Sequence, residues 1–409
     1  MKVLLIDVNC KSSSTGKIVY DLYTAVNESG NEAAICFGRG KKSKEHNVFK
    51  FGIDIETYIH AFLTRITGFT GCFSPFSTLR LIRFIKKFKP DVVHIHELHA
   101  YFVNIKPLIN YLKKNKIKTV MTLHCEFAYT GKCGYSAECE QWKTECKKCP
   151  HLKEYVSTMW FDHTAYMFKQ KKRLFEDFDN LIIVTPSEWV ATRARQSFLK
   201  HKEIKTIHNG VDTAIFHHHR VDAKALLGVS AKGKIFLSVA PNIMSQRKGG
   251  AHILAVATMP ENKNNLFIMI GVEDTNIDTP QNVIVLPKTS DQMVLANYYS
   301  IADAFLLCSQ KETFSMTCAE ALCCGTAVLG FRCGAPEVVF DYPYANFVQY
   351  GDINTLSNLM NEAIIPTKDE ISAYAEKSFS KQIMGKCYLD LYGCTNHQGV
   401  IPNAQEKGD

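Results

Sequence analysis

A hydrophobic run too short to cross a membrane, closed by a polar residue and followed by a helix-like period, recurs along this chain. That repetition restricts the fold more than any other feature. "KVLLIDV" (2–8) leads through "NCKSSSTGK" into an amphipathic stretch, and "DVVHIH" (91–96), "KTVMTLH" (118–124) and "NLIIVTPS" (180–187) repeat the arrangement. After the Gly-, Asn- and Asp-rich connection "TIHNGVDTAIF" (206–216), "KIFLSVA" (234–240), "NLFIMIG" (265–271), "NVIVLP" (282–287), "AFLLCS" (304–309) and "TAVLGF" (326–331) read as further strands. Strands that are apolar along their length are buried on both faces, and their alternation with helices makes the sheets parallel. The expected fold class is α/β, with two doubly wound domains. Residues 1–204 form the first, with a cysteine-rich insertion at 131–150, and residues 205–385 the second. Residues 386–409 form a C-terminal segment ending in a mobile tail, "NHQGVIPNAQEKGD". Ligands in such sheets bind beyond the carboxyl ends of the strands, so the cleft between the domains is the expected site.

No apolar run reaches the ~18–20 residues of a membrane span. Asp7 breaks the opening run too early for a signal peptide, and the expected location is cytoplasmic. The 15 cysteines, mostly scattered singly, fit a reducing compartment. Residues 1–200 hold 31 Lys and Arg against 19 Asp and Glu, whereas the rest holds 17 against 21. The first half is therefore the one to meet an anionic surface. "STLRLIRFIKKFKPD" (77–91) sets Leu81, Ile82, Ile85 and Phe88 against Arg83, Lys86, Lys87 and Lys89. This is either a solvated helix face or one held peripherally against anionic phospholipid. Nucleic acid, the competing anion, has no binding motif in its favour.

"SQKETFSMTCAEALCCGTAVLGFRCGAPEVV" follows a strand, which places Glu312 in a loop at a strand's carboxyl end and a helix opening near Ser315. Free N–H groups at a helix N-terminus seat a phosphate. Glu320, a turn further on, could accept two ribose hydroxyls and Glu312 those of a second sugar, as in a nucleotide-sugar site. The other reading has Glu312 capping the helix and Glu320 in solvent. "HIHELH" (94–99) offers His94 and His96 on one strand face with His99 beyond, either a metal site or sugar contacts through His96 or Glu97. Cys133, Cys139, Cys146 and Cys149 stand at C-x5-C-x6-C-x2-C. A structural zinc, a reduced hairpin and a disulfide pair all remain open for them.

The pattern around Glu312 resembles the retaining glycosyltransferases of family 4, which have the GT-B fold of two Rossmann-like domains facing a cleft. Their glutamate, seven residues and glutamate stand here as Glu312 and Glu320, followed by Ala321, "CGTAV" and "CGAPEVV". "HNGVD" with Phe216, "RKGG" (247–250) and "YYSIADAFLLCSQKETF" (298–314) keep the family order. "PDVVHIHELH", "TLHCEFAYTGKCGYSAECEQWKTECKKCP" and "TPSEWVATRARQS" look like the branch that builds bacterial exopolysaccharides, such as colanic acid, and O-antigens. The resemblance covers most of residues 1–345.

It implies retaining transfer of a sugar from a UDP- or GDP-sugar to a growing, lipid-linked glycan at the inner face of a bacterial membrane, with no cofactor required for catalysis. On that account a donor phosphate oxygen takes the acceptor's proton, and the glutamates position and stabilise charge. Lys248 becomes the cation on the diphosphate, with Arg247 beside it. Gly16, Phe314, Ser315, Met316 and Glu320 line the donor, His124 contacts the transferred sugar, and Glu312 completes the catalytic set. Many members carry an arginine where "VAPNIMSQRKGG" has Asn242, so either Arg247 substitutes or one cation and helix-terminal amides suffice. Ser315 stands where glycine is common. A nucleotide-sugar epimerase or phosphorylase of the same fold, and a degenerate non-catalytic partner subunit of a transferase, are the rival readings.

Overall fold

The computed structural model describes residues 1–228 and 232–394, so the tail from 395 lies outside the described residues. The first sheet contains β1 (Lys2–Asp7), β2 (Glu32–Phe37), β3 (Val48–Lys50), β4 (Val92–Ile95), β5 (Lys118–Thr122), β6 (Leu181–Thr185) and β7 (Glu203–Thr206). The second contains β8 (Ile235–Val239), β9 (Leu266–Ile270), β10 (Val283–Leu286), β11 (Ala304–Leu307), β12 (Ala327–Phe331) and β13 (Ala345–Val348). Their orders are β3-β2-β1-β4-β5-β6-β7 and β10-β9-β8-β11-β12-β13, with every neighbouring pair parallel. The period of two supplies both helix layers from one strand: Val3 and Leu5 join the core under one layer, Leu4 and Ile6 the other.

All the expected strands are present, and β2, β3, β7 and β13 are added to them. The last three are short edge strands, and β2, "EAAICF", is alanine-rich, so none shows a β-branched run. Each sheet reverses its order once, between β1 and β4 and between β8 and β11. Crossovers on either side of a reversal leave in opposite directions, and the loops after those two strands part to form a crevice.

The sheets refine the expected division. β7 pairs with β6 through Thr206, past the boundary at 204. The boundary at 385 cuts the helix Lys381–Tyr392, which leaves the second domain and packs on the helix Ser13–Glu28 of the first. The chain thus crosses between domains twice, and the crossings pair with each other: Val211 N–H donates to Phe379 O (2.7 Å) and Lys381 N–H to Val211 O (2.9 Å). This returning helix also settles the role of His94. Its Nδ1 meets Tyr392 Oη at 2.6 Å and its Nε2 meets Thr122 Oγ1 at 2.7 Å, while Tyr388 Oη lies 2.8 Å from the same Thr122 hydroxyl. Both ring nitrogens are occupied, burial pushes the imidazole pKa well below its usual value, and His94 is a structural residue.

Two surface helices contrast. Pro75–Phe88 buries Leu81, Ile85 and Phe88 and exposes Arg83, Lys86 and Lys87, with Lys89 exposed just beyond, as its pattern indicates. Asp54–Thr67 is inverted. Glu56, Thr57, His60 and Thr64 face inward, whereas Ile55, Tyr58, Ile59 and Phe62 are 65, 69, 51 and 61% exposed. Glu56 accepts the N–H groups of Phe76 and Ser77 at 2.8 Å each, and His60 Nδ1 meets Ser74 Oγ at 2.8 Å, while His60 Nε2 and Thr64 Oγ1 are buried without a hydrogen-bond partner. Backbone amides at the start of the neighbouring helix therefore dictate which face turns in.

Removing one hydroxyl from the returning helix leaves a buried histidine nitrogen unpaired. Tyr392→Phe is expected to destabilise the protein by about 1–3 kcal/mol, read as a lower midpoint in chemical denaturation, while Tyr58→Phe on the surface leaves the midpoint unchanged.

Candidate active site

The loops that follow the two switch-point strands of the second domain carry its charged groups. Lys248 follows β8 and Glu312 follows β11, and Lys248 Nζ lies 2.5 Å from Glu312 Oε1, with Arg247 Nη1 at 3.9 Å. The Glu312 backbone is held from both sides: its N–H donates to Cys333 O (2.8 Å) and its carbonyl accepts from Ala335 N–H (3.1 Å). Gly334 permits this approach, since its φ is +117° and a Cβ there would lie 3.0 Å from the Trp189 ring. Burial alone would raise the Glu312 carboxyl, but Lys248 and then Arg247 outweigh it and hold the pKa below the usual value.

Met316–Cys323 is the helix after Glu312, and Ser315 before it adopts a left-handed φ of +78° with no side-chain cap. A serine thus occupies a conformation that glycine adopts without strain, and the first-turn N–H groups have no side-chain acceptor. Glu320 accepts from Tyr299 Oη at 3.1 Å. Burial raises its pKa to about 7 against the opposing pull of Lys17. Glu320 and Met316 line a cavity of about 480 Å³ whose other walls include Lys11, Lys17 and Asp21 of the first domain and Gly210 and Asp212 of the connection.

The first domain presents its own switch point. Asp7 ends β1, His96 follows β4 and His124 follows β5. Asp7 is fully buried, and burial followed by Glu97 raises its pKa to about 7. Asp7 Oδ1 and His96 Nε2 are buried without a hydrogen-bond partner. His96 Nδ1 meets His124 Nε2 at 3.0 Å, and burial lowers the His124 pKa to about 4. The two domains touch here: Thr313 Oγ1 donates to His124 O (2.9 Å), and Ser187 Oγ donates to Thr313 O (2.8 Å). Nearby, Glu97 Oε2 lies 3.3 Å from His99 Nε2, and His99 Nδ1 meets Tyr155 Oη at 3.0 Å. The Tyr135 ring lies 4.7 Å from the Arg247 guanidinium across the cleft.

Residues 15–215 match the Glycosyltransferase Family 4 domain and residues 228–377 the Glycosyl transferases group 1 domain. The chain belongs to glycosyltransferase family 4. It is 24% identical over 412 aligned residues, 96% of this chain and 99% of the other, to Escherichia coli (strain K12) WcaC, which is named as a colanic acid biosynthesis glycosyl transferase. Sucrose-phosphate synthase from Thermosynechococcus elongatus superposes with a TM-score of 0.69 at 16% identity, covering 97% of this chain and 100% of that one. Anabaena HepE, solved with UDP-glucose, gives 0.64 at 14% identity with the same coverage. These neighbours share the GT-B arrangement.

In this family 4 enzyme, Lys248, Arg247, Glu312, Ser315, Met316, Glu320 and His124 gather at the cleft. Phe314 does not: its ring packs against Phe340 and Phe379 in the core and it is 2% exposed, so only its backbone is available to a donor. Gly16 makes its close approach to its own loop, where a Cβ would lie 3.3 Å from Asn9 C and O. Asn242 donates to Glu273 Oε1 (2.9 Å) and accepts from Ser245 N–H (3.1 Å), so Arg247 is the second cation beside Glu312. Cys133, Cys139, Cys146 and Cys149 are free thiols lining a small cavity of their own. Lys17, Tyr135, Tyr299 and Thr313 join these residues though none is singled out by pattern; Lys17 adjoins Gly16, Thr313 adjoins Glu312, and Tyr135 and Tyr299 lie inside longer motifs.

The Glu320 pKa yields a stability test. Its folded value near 7 exceeds the unfolded 4.5, so the ionised form is the disfavoured one and stability falls as pH rises through this window. Glu320→Gln is expected to be more stable than the parent by ~1–2 kcal/mol at pH 8.5, with the difference closing toward pH 4.5, as followed by thermal unfolding.

Proposed function

We propose that this protein is a retaining transferase that moves a sugar from a nucleotide diphosphate sugar to a growing, lipid-linked glycan in bacterial surface-polysaccharide synthesis, at the cytoplasmic face of the membrane. The observation that carries the reading is the Lys248, Arg247 and Glu312 group beside the uncapped start of the helix that holds Glu320. A diphosphate placed there meets two cations and free amides. It competes with Glu312 for Lys248, so donor binding would loosen the 2.5 Å pair and release Glu312 to accept sugar hydroxyls. Glu320, with Tyr299 behind it, would take the ribose. The UDP-glucose bound by HepE supports a UDP-sugar donor, and the name of WcaC supports an exopolysaccharide product.

Transfer breaks the bond from the sugar's C1 to the diphosphate oxygen and forms one from C1 to the acceptor oxygen on the same face. The acceptor proton passes to a donor phosphate oxygen, and Lys248 and Arg247 stabilise the charge that grows on the leaving group. His124, held neutral by burial, can share a hydrogen bond with a sugar hydroxyl. The unpartnered Asp7 Oδ1 and His96 Nε2 are available to the acceptor.

Membrane association is supported by the inverted helix Asp54–Thr67. Its exposed Ile55, Tyr58, Ile59 and Phe62 lie near exposed Phe76 and Trp160, to which it is joined through Glu56 and through Met159 N–H donating to Arg65 O at 2.7 Å. The neighbouring helix adds Arg83, Lys86 and Lys87. An apolar stripe beside a basic face is the composition that lies in a lipid interface.

Two measurements test the proposal. Across UDP-, GDP- and ADP-sugars, one donor should bind and hydrolyse slowly, with Lys248→Ala and Glu312→Ala each lowering turnover about 10²–10³-fold; binding of none would refute it. The wild type should co-sediment with vesicles containing phosphatidylglycerol, and Ile59→Asp with Phe62→Asp should weaken this by about tenfold. Failure of the wild type to sediment would remove the membrane from the reading.

A further inference from the structure

We propose that Cys133, Cys139, Cys146 and Cys149 bind one zinc ion through four sulfurs, and that this ion shapes the acceptor-side wall of the cleft. The four thiols line one cavity of about 20 Å³, the room of a single small ion or water. Trp142, 1% exposed, lines it too, and its Nε1 donates to Cys139 O (2.8 Å). Gly131 N–H donates to Cys146 Sγ at 3.2 Å, and Asp162 accepts from Cys149 N–H at 2.7 Å. Amide donors to sulfur and a fixed C-x2-C turn are the outer contacts that a thiolate metal site uses. Among the described residues, no three of the four sulfurs lie within 4.8 Å of one another. Ligation at ~2.3 Å from zinc therefore draws them inward by side-chain rotation.

Two basic side chains lie close to the same sulfurs. Lys132 lines the same cavity, is 1% exposed, and donates to three carbonyls, those of Leu152 (2.9 Å), Glu154 (3.1 Å) and Val156 (2.7 Å). Three donated bonds require the three protons of an ammonium, since a neutral amine has two. Lys171 is also 1% exposed, donates to Phe127 O (2.5 Å), and has Cys146 and Cys133 as its strongest electrostatic neighbours. Asp162 is a carboxylate that acts on Lys132, while Glu140 and Glu145 pair with surface lysines. Zinc displaces the four thiol protons and creates a centre of net charge −2 between four sulfurs that already line one small cavity.

The ion's consequence for the cleft rests on the transferase reading. Tyr135, between Cys133 and the anchored Ser136, supplies the ring facing Arg247. Ser136 is held by Glu126, which accepts its N–H at 2.5 Å, and Glu126 pairs with Arg193 at 2.6 Å. The carbonyls gripped by Lys132 flank Tyr155, which reaches His99. Losing the ion would free both tyrosines.

The test uses the full-length protein. Metal analysis after gel filtration should give one zinc per chain, and almost none for the Cys146→Ser, Cys149→Ser double variant. Zinc below one-fifth per chain in the wild type, or disulfides among the four cysteines by mass spectrometry, overturns the site. Stripping the metal with a mercurial and then reducing should raise the rate of proteolysis within 131–160 at least tenfold while UDP affinity stays within twofold. Unchanged proteolysis overturns the wall's dependence on zinc. Failure of UDP to bind either form counts against the donor reading and leaves the zinc stoichiometry standing.

Discussion

A parallel sheet whose strand order reverses once can expose functional groups at one place only, and this protein has two such sheets set with their reversals face to face. The groups that define the cleft follow from that constraint. Lys248 and Glu312 sit on the loops after β8 and β11, Asp7 at the end of β1 and His96 just after β4. The chemistry is therefore divided in a fixed way. The second domain brings cations, a depressed carboxylate and an uncapped helix start. The first brings neutral imidazoles and a carboxyl that burial disposes toward protonation. One half suits an anion, the other a set of hydroxyls.

Electrostatics keeps these roles apart. Glu312 and Glu320 belong to one motif, yet their environments drive them in opposite directions. Two cations next to Glu312 hold its pKa down, whereas for Glu320 burial outweighs Lys17 and the Tyr299 hydroxyl and pushes it up. Residues of one type, eight positions apart, are thus shifted in opposite directions.

Much of this was legible in the sequence because buried parallel strands advertise themselves as continuous apolar runs and because the glutamate motif sits just after one of them. What escaped did so for physical reasons. β3, β7 and β13 are edge strands of three or four residues, too short for a pattern. The helix Asp54–Thr67 reads backwards, since its inward face is chosen by the amides of Phe76 and Ser77, which no periodicity records. Phe314 belongs to a donor motif in sequence but to the core in space, because the residue beside a functional group is often the one that anchors it. Gly16 likewise spends its close approach on its own loop, and Asn242 is taken up by Ser245 and by Glu273 of the neighbouring loop. Tyr135 and Thr313 matter only through the partner domain, and contacts across a cleft leave no local trace. For "HIHELH" the pattern leaves a metal site and sugar contacts both open, and the returning helix encloses His94.

That helix has a mechanical meaning as well. Two connections spaced apart would fix an axle between the domains; here they are bonded to each other at Val211, Phe379 and Lys381, and act as one pivot. Across the cleft the domains also meet through hydrogen bonds from Ser187 to Thr313 and from Thr313 to His124, through Trp189 packed on the second domain's core, and through Tyr135 against Arg247. Because Thr313 adjoins Glu312, a rotation about the pivot that parts these contacts also moves the backbone that carries the donor-side carboxylate.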